Sequence, residues 1–208
     1  MIQHTARLRR LALLAGLAVA SAAPAQTGSV APCPLELYKV PQWAKDGDTL
    51  RQRLEADLKF AVQGGESELG LAILCAGAAA GLPFAETMLG GMTAEGRIGL
   101  KKDAALGRQW LERAAAHGDA LAQYLLSNMY FSGQGGPVRI KEGMDHLRSA
   151  AHGGNVEAKY HLGAELITGS YVPRDLQAAR RWLQEAANAG HPRAPAMLRE
   201  LEQVMGVK

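Results

Sequence analysis

The side chains of this sequence that could carry chemistry are few, and their spacing matches no catalytic arrangement. Beyond residue 25 there are five histidines, His117, His146, His152, His161 and His191. A metal site needs ligands that converge on one ion at about 2 Å. His117, His152 and His191 instead fall near successive turns of a repeated pattern, which sets them in a row along one edge. They are expected to be solvated junction residues, with His146 a half-buried packing residue, and no metal site is expected. Glu157 and Glu165 could share acid–base work only if the fold brought them together, and they lie eight apart on one helix. The stretch Gly133-Gln134-Gly135-Gly136 lacks both a preceding strand and the Gly-Lys-Ser/Thr ending of a phosphate-binding loop. Gly-x-Ser-x-Gly, Ser-x-x-Lys and His-Glu-x-x-His are all missing from the sequence, so neither serine acyl transfer nor zincin hydrolysis has its parts. The expectation is a protein without catalytic residues or cofactor.

Charge narrows the partners. The chain of 208 residues carries a formal +3, but Arg7, Arg9 and Arg10 supply that excess in a segment with no acidic residue. Met1–Arg10 is basic, Leu11–Ala20 is apolar, and Ser21–Ala25 provides the small residues of a cleavage site, which together form a secretory signal peptide. Cleavage is expected after Ala25, by general secretion rather than the twin-arginine route, placing the chain in the periplasm or outside the cell. The apolar run is too short for the roughly 20 residues of a membrane span, so no stable membrane insertion is expected. Pro32 before Cys33 argues against a lipid anchor there. The remaining chain is neutral and lacks the basic footprint of a nucleic-acid binder. Cys33 and Cys75 are the only cysteines. An even count in an exported chain points to a disulfide, worth about 4 kcal/mol for a loop of this length. The alternative is a buried Cys75 and a loose Cys33.

The elements that position these groups follow from an internal period. Gly118, Gly154 and Gly190 recur every 36 residues, as do Ala122, Ala158 and Ala194, and Leu126, Leu162 and Leu198. Gly81, Ala85, Leu89 and Gly96 repeat the series with one extra residue, placed in the loop after Gly96. Each period reads as a helix–turn–helix unit. A first helix carries Ala122, Leu126 and Tyr130 on one face and stops at Gly96, Gly133 or Gly169. A second is capped by Asp103 or Asp175 and carries Trp110-Leu111, His146-Leu147 or Trp182-Leu183 one turn before an Ala pair. A unit cannot bury its own apolar stripe, so the units must stack. The predicted fold is an all-α, right-handed α/α solenoid of repeats of about 36 residues. Its parts are the signal peptide (1–25), an irregular Pro-containing segment (26–47), a divergent helical cap pair (48–80), three repeats (81–117, 118–153, 154–189) and a capping helix with its tail (190–208).

The pattern Gly-x-x-x-Ala-x-x-x-Leu-Gly, a Gly-ended loop, then Ala-x-x-Trp-Leu-x-x-Ala-Ala-x-x-Gly resembles the Sel-one-like repeat family, most clearly in Gly154–Gly190. Ser127, Thr93, Leu166 and His146 depart from it as packing variants. The resemblance implies a tetratricopeptide-like adaptor or scaffold for an unidentified protein or peptide, held in a concave groove. Counting from the repeated leucine puts Thr87, Gly91 and Ala94, then Tyr124, Asn128 and Phe131, then Tyr160, Ala164 and Ile167 in that groove. Tyr124 and Tyr160 would serve equally well as packing between helices. Two other functions stay open: an envelope protein that binds or processes cell-wall fragments or a small ligand, and a purely structural assembly component.

Overall fold

The computed structural model describes residues 47–65, 67–97 and 100–206. Among them are nine helices and no strand: α1 (Gly47–Gln63), α2 (Ser67–Ala79), α3 (Pro83–Glu95), α4 (Ala104–Ala116), α5 (Ala120–Ser132), α6 (Ile140–His152), α7 (Val156–Thr168), α8 (Leu176–Asn188) and α9 (Ala194–Met205). The chain divides into two compact units, residues 1–85 and 86–208. The signal peptide, its cleavage site and Cys33 lie outside the described residues.

In the first unit α1 packs on α2 around Leu54 and Ile73, with Leu58, Leu69 and Leu82 at the margin. A Cβ on Gly77 would lie 2.7 Å from Ala85 Cβ and 2.9 Å from Leu54 Cδ1, so this close approach depends on glycine. Cys75 is buried in α2.

The second unit is a stack of helix pairs, an α/α solenoid whose parts recur with the sequence period. The A-type helices are α3, α5, α7 and α9, and the B-type helices are α4, α6 and α8. Each A-to-B loop is closed by one backbone hydrogen bond at equivalent positions: the N–H groups of Asp103, Arg139 and Asp175 donate to the carbonyls of Thr93, Tyr130 and Leu166. Each B-to-A turn is closed likewise, with Asp119, Asn155 and His191 donating to Ala114, Ala150 and Ala186. The expected caps are in place, since Asp103 and Asp175 each accept a backbone N–H at 2.9 Å, worth about 1 kcal/mol each. Gly133 and Gly169 end α5 and α7 at φ +72° and +71°, the left-handed conformation that a side chain resists. Ala122, Leu126 and Tyr130 are buried with Leu111 and Ala114 in one cluster, and Ala158 and Leu162 with Leu147 and Ala150 in the next.

Equivalent contacts between successive repeats use different chemistry. The Arg108 guanidinium sits 3.8 Å above the Tyr130 ring. One repeat on, Met144 and Leu166 occupy those places and share an apolar cluster. In the last, Arg180 Nε donates to Glu202 Oε1 at 2.7 Å. Loop residues are matched to these choices. A Cβ on Gly136 would lie 2.5 Å from Arg108 Nη1, whereas its counterpart Val172 is buried with Met144. The Gly133–Gly136 stretch is thus a loop fitted over α4. Within repeats, polarity is also reversed: Glu86 pairs with Arg113 at 2.9 Å, and at the same positions 72 or 73 residues on, Lys159 pairs with Glu185 at 2.9 Å.

Candidate functional site

Two flanks of α5 and of α7 are consumed by packing, against the B-type helix of the same repeat and against the neighbouring repeat. What remains outward is a narrow stripe at i, i+4, i+7 and i+11. In α5 it is Leu121, Leu125, Asn128 and Ser132, and in α7 it is Glu157, His161, Ala164 and Thr168. Arg193 with Met197, Glu200 and Val204 of α9 continues it at the same 36-residue offset. All twelve are exposed or half-buried, and Leu121 and Val204 are 45% and 76% exposed.

A run of rings leads from the flank of this face into the packing beneath it. Tyr124 stacks with His161 at 5.8 Å between centroids, His161 meets Tyr160 edge-on at 5.4 Å, and Tyr160 stacks on His191 at 4.1 Å. The Arg193 guanidinium lies 4.8 Å from the Tyr160 centroid. Burial lowers the pKa of His161, which Arg193 and His191 reinforce and Glu157 opposes, so a neutral imidazole is favoured there.

The groove residues counted from the sequence fall partly on this face. Asn128 is exposed, Gly91, Tyr124, Phe131, Ala164 and Ile167 are half-buried, and a Cβ on Gly91 would meet open space. Phe131 stacks with the exposed Tyr171 of the next loop at 5.3 Å. Thr87 is 3% exposed, Tyr160 7%, and Ala94 is in the core, so these three side chains belong to the packing. The count from leucine alone missed the outward arc by roughly 60°, at about 100° per residue. It took leucine as the centre of the buried arc, whereas burial extends on to Ser127, the flank facing the neighbouring helices. Leu121, Leu125 and His161 lie outside that count for the same reason.

The histidines are not a set of solvated junction residues. His117 is exposed and lies 3.0 Å from Glu86, and exposed His152 meets Trp182 edge-on at 4.9 Å. His191, however, is 2% exposed. It occupies the position where Asp119 and Asn155 cap α5 and α7 by accepting the N–H groups of Ala122 and Ala158. Its Nδ1 does the same, accepting from Ala194 at 3.2 Å and Arg193 at 3.3 Å. Nδ1 therefore carries no proton, and Nε2–H donates to Glu157 at 3.2 Å. His146 is half-buried and stacks on Tyr130 at 5.3 Å, as a packing residue should. Among the described residues no three His, Cys, Asp or Glu side chains are gathered for a metal ion.

Glu157 is engaged at that cap, while Glu165 stands apart. Its position is held by Met92, Met129 and Leu201 in the other A-type helices. Its Oε2 is buried without a hydrogen-bond partner, and burial raises its pKa. Two clefts lie elsewhere. One of about 690 Å³ runs past Arg148, Val172, Arg174 and Met205, and one of about 350 Å³ past His152, Lys159, Trp182 and Glu185.

The family model described as Sel1 repeat matches residues 83–119, 120–155 and 156–191, more than half of the chain. The chain belongs to the Sel1 repeat family. These matches keep the period read from the sequence, two residues later in phase. A Sel1 repeat protein from Oxalobacter formigenes is similar over 74% of this chain and 62% of its own, with 26% identity and a TM-score of 0.68. A protective antigen of uropathogenic Escherichia coli strains, which displays an SLR fold, is similar over 78% of this chain and 37% of its own, with 27% identity and a TM-score of 0.66. The chitin synthase regulator SKT5 of Saccharomyces cerevisiae is 32% identical over 87 residues. That stretch is 42% of this chain and 12% of the yeast protein, so the chain matches only a small part of that relative. Sel1 repeats form a scaffold fold that mediates protein–protein interactions, and no helix among the described residues is long and apolar enough to cross a membrane.

Proposed function

We propose that this Sel1 repeat protein is an exported scaffold that binds a protein partner through the outward face of its A-type helices. The observation that carries the reading is the recurrence of that face. Twelve positions at a fixed period stay accessible in three consecutive A-type elements, with exposed or half-buried apolar side chains among them and a run of rings beside them. Aromatic and apolar groups of this kind supply most interface energy. Export is supported by the basic, apolar and small-residue segments of 1–25, and a pairing of Cys33 with Cys75 would suit an oxidising compartment.

The test is a crosslinking pulldown from the envelope fraction, comparing the native chain with Asn128→Arg/Ala164→Arg. Both positions are accessible, so the double variant should fold as the native chain does. A specific partner captured by the native chain and lost by the variant is the expected result. Equal recovery by both would contradict the face assignment.

A further inference from the structure

The outward A-type face differs in charge from the rest of the second unit. Along it and at its margin are Glu95, Glu157, Glu165 and Glu200, against Arg97 beside Glu95 and, within the stripe, Arg193. That guanidinium is already placed over Tyr160. Glu200 is exposed, and Glu157 keeps a side-chain exposure of 49% beside His191. Glu95 is joined only to the neighbouring Arg97, at 3.5 Å with both side chains more than 60% exposed, a pairing that solvent screens. Other cations are Lys101, Lys102, Arg139 and Arg174 on the A-to-B loops, Lys141, Arg148 and Arg181 on B-type helices that also carry Glu112, Glu142, Asp145 and Glu185, and Lys159 and Arg199 on α7 and α9 outside the stripe. The stripe and its margin are thus net acidic in a chain whose sequence beyond residue 25 is neutral overall.

Glu165 adds an independent observation. A carboxylate stands where three equivalent positions hold Met or Leu, with Oε2 buried and unpartnered. Such a group costs stability in the free protein, and a cation brought by a ligand would complete it. The same face exposes Leu121 and Val204, two of the four large hydrophobic side chains most exposed to solvent among the described residues, with Leu125, Ala164 and Met197 half-buried around them.

We infer that this face takes a cationic, amphipathic segment of the partner protein, whose Lys or Arg side chains meet Glu157, Glu165 and Glu200 while its apolar side chains cover Leu121, Leu125 and Met197. This rests on the A-type face being the binding face. Complementary charge would speed encounter and exclude acidic segments and anionic lipid surfaces.

The test uses three labelled synthetic peptides of equal length, built from Lys and Leu, Ser and Leu, or Glu and Leu, with binding to the mature full chain read by fluorescence anisotropy. The Lys/Leu peptide should bind at least about tenfold more tightly than Ser/Leu, Glu/Leu should not bind, and raising salt from about 0.05 to about 0.5 M should weaken the complex. Glu165→Gln/Glu200→Gln should lose about fivefold or more in affinity, whereas Lys141→Gln/Arg148→Gln on α6 should change nothing. Equal binding of the three peptides, binding of none, or an unaffected Glu165→Gln/Glu200→Gln variant would overturn the cationic-partner assignment. Asn128→Arg/Ala164→Arg separates the two claims. If neutral or acidic peptides bind and this variant abolishes it, the face stands and its charge preference falls. If the Lys/Leu peptide binds the variant undiminished, the face assignment itself falls.

Discussion

At the scale of single residues, the instructive positions are those where a repeat departs from its siblings. His191 replaces Asp119 and Asn155 at the helix cap and performs the same task with a ring nitrogen. His191→Asn should therefore melt close to the native chain, and His191→Ala should lose about 1 kcal/mol in a denaturant titration. Glu165 departs in the opposite sense. Its pKa is raised in the folded chain by burial, so its favourable contribution is present below the unfolded carboxylate range and lost as pH rises through the folded value. Glu165→Met, the residue of α3 and α5, should raise stability by roughly 1 kcal/mol at neutral pH and by less near pH 4. A gain independent of pH would contradict this origin. His146 and His161 have pKa values lowered, chiefly by burial. The stability they contribute is present above the unfolded value of about 6.5 and lost as pH falls through the lowered folded values. The native chain should lose melting temperature between pH 7.5 and 5, and His146→Phe/His161→Phe should lose less.

At the scale of elements, the helices, their caps and their stops follow from local rules legible in the sequence. Asp103 and Asp175 cap α4 and α8, and Gly133 and Gly169 terminate α5 and α7. The outward face was legible only in part. Asn128 and Ala164 are accessible, as the count from leucine expects, whereas Tyr160 and Thr87 are buried, because which flank of a helix a neighbouring repeat covers is decided by stacking rather than by the helix's own period. From the sequence a solvated His191 is expected, because its proximity to a turn masks its identity as a cap. Its offset of 36 from Asn155 was the signal that could have revealed it. The varied contacts between repeats carry a further prediction. Arg108 with Gly136 and Met144 with Val172 are matched pairs, so Gly136→Val alone should destabilise by about 1–3 kcal/mol through overpacking. Arg108→Met/Gly136→Val should recover most of that loss, a coupling that a double-mutant cycle measures. Additive losses would show that the pairs are not matched.

For the molecule as a whole, the stack holds opposite polarity at equivalent places. Glu86–Arg113 and Lys159–Glu185 disfavour pairing of an A-type helix with the B-type helix of another repeat, and the cation–π, apolar and ionic contacts between repeats make exchange of one repeat for another unfavourable. A chain of near-identical units needs such distinctions to keep its order. The order in turn holds twelve accessible positions in one register on three A-type elements, which is the basis of the binding face. The most direct test of that face places a photocrosslinking residue at Asn128 or Ala164 on the A-type helices and, in parallel, at Gln109, Asp145 or Gln184 on the B-type helices, in the chain as expressed in its native cell. Adducts with one protein from positions 128 and 164, and none from 109, 145 and 184, are the predicted result. Adducts confined to the B-type positions would contradict the account.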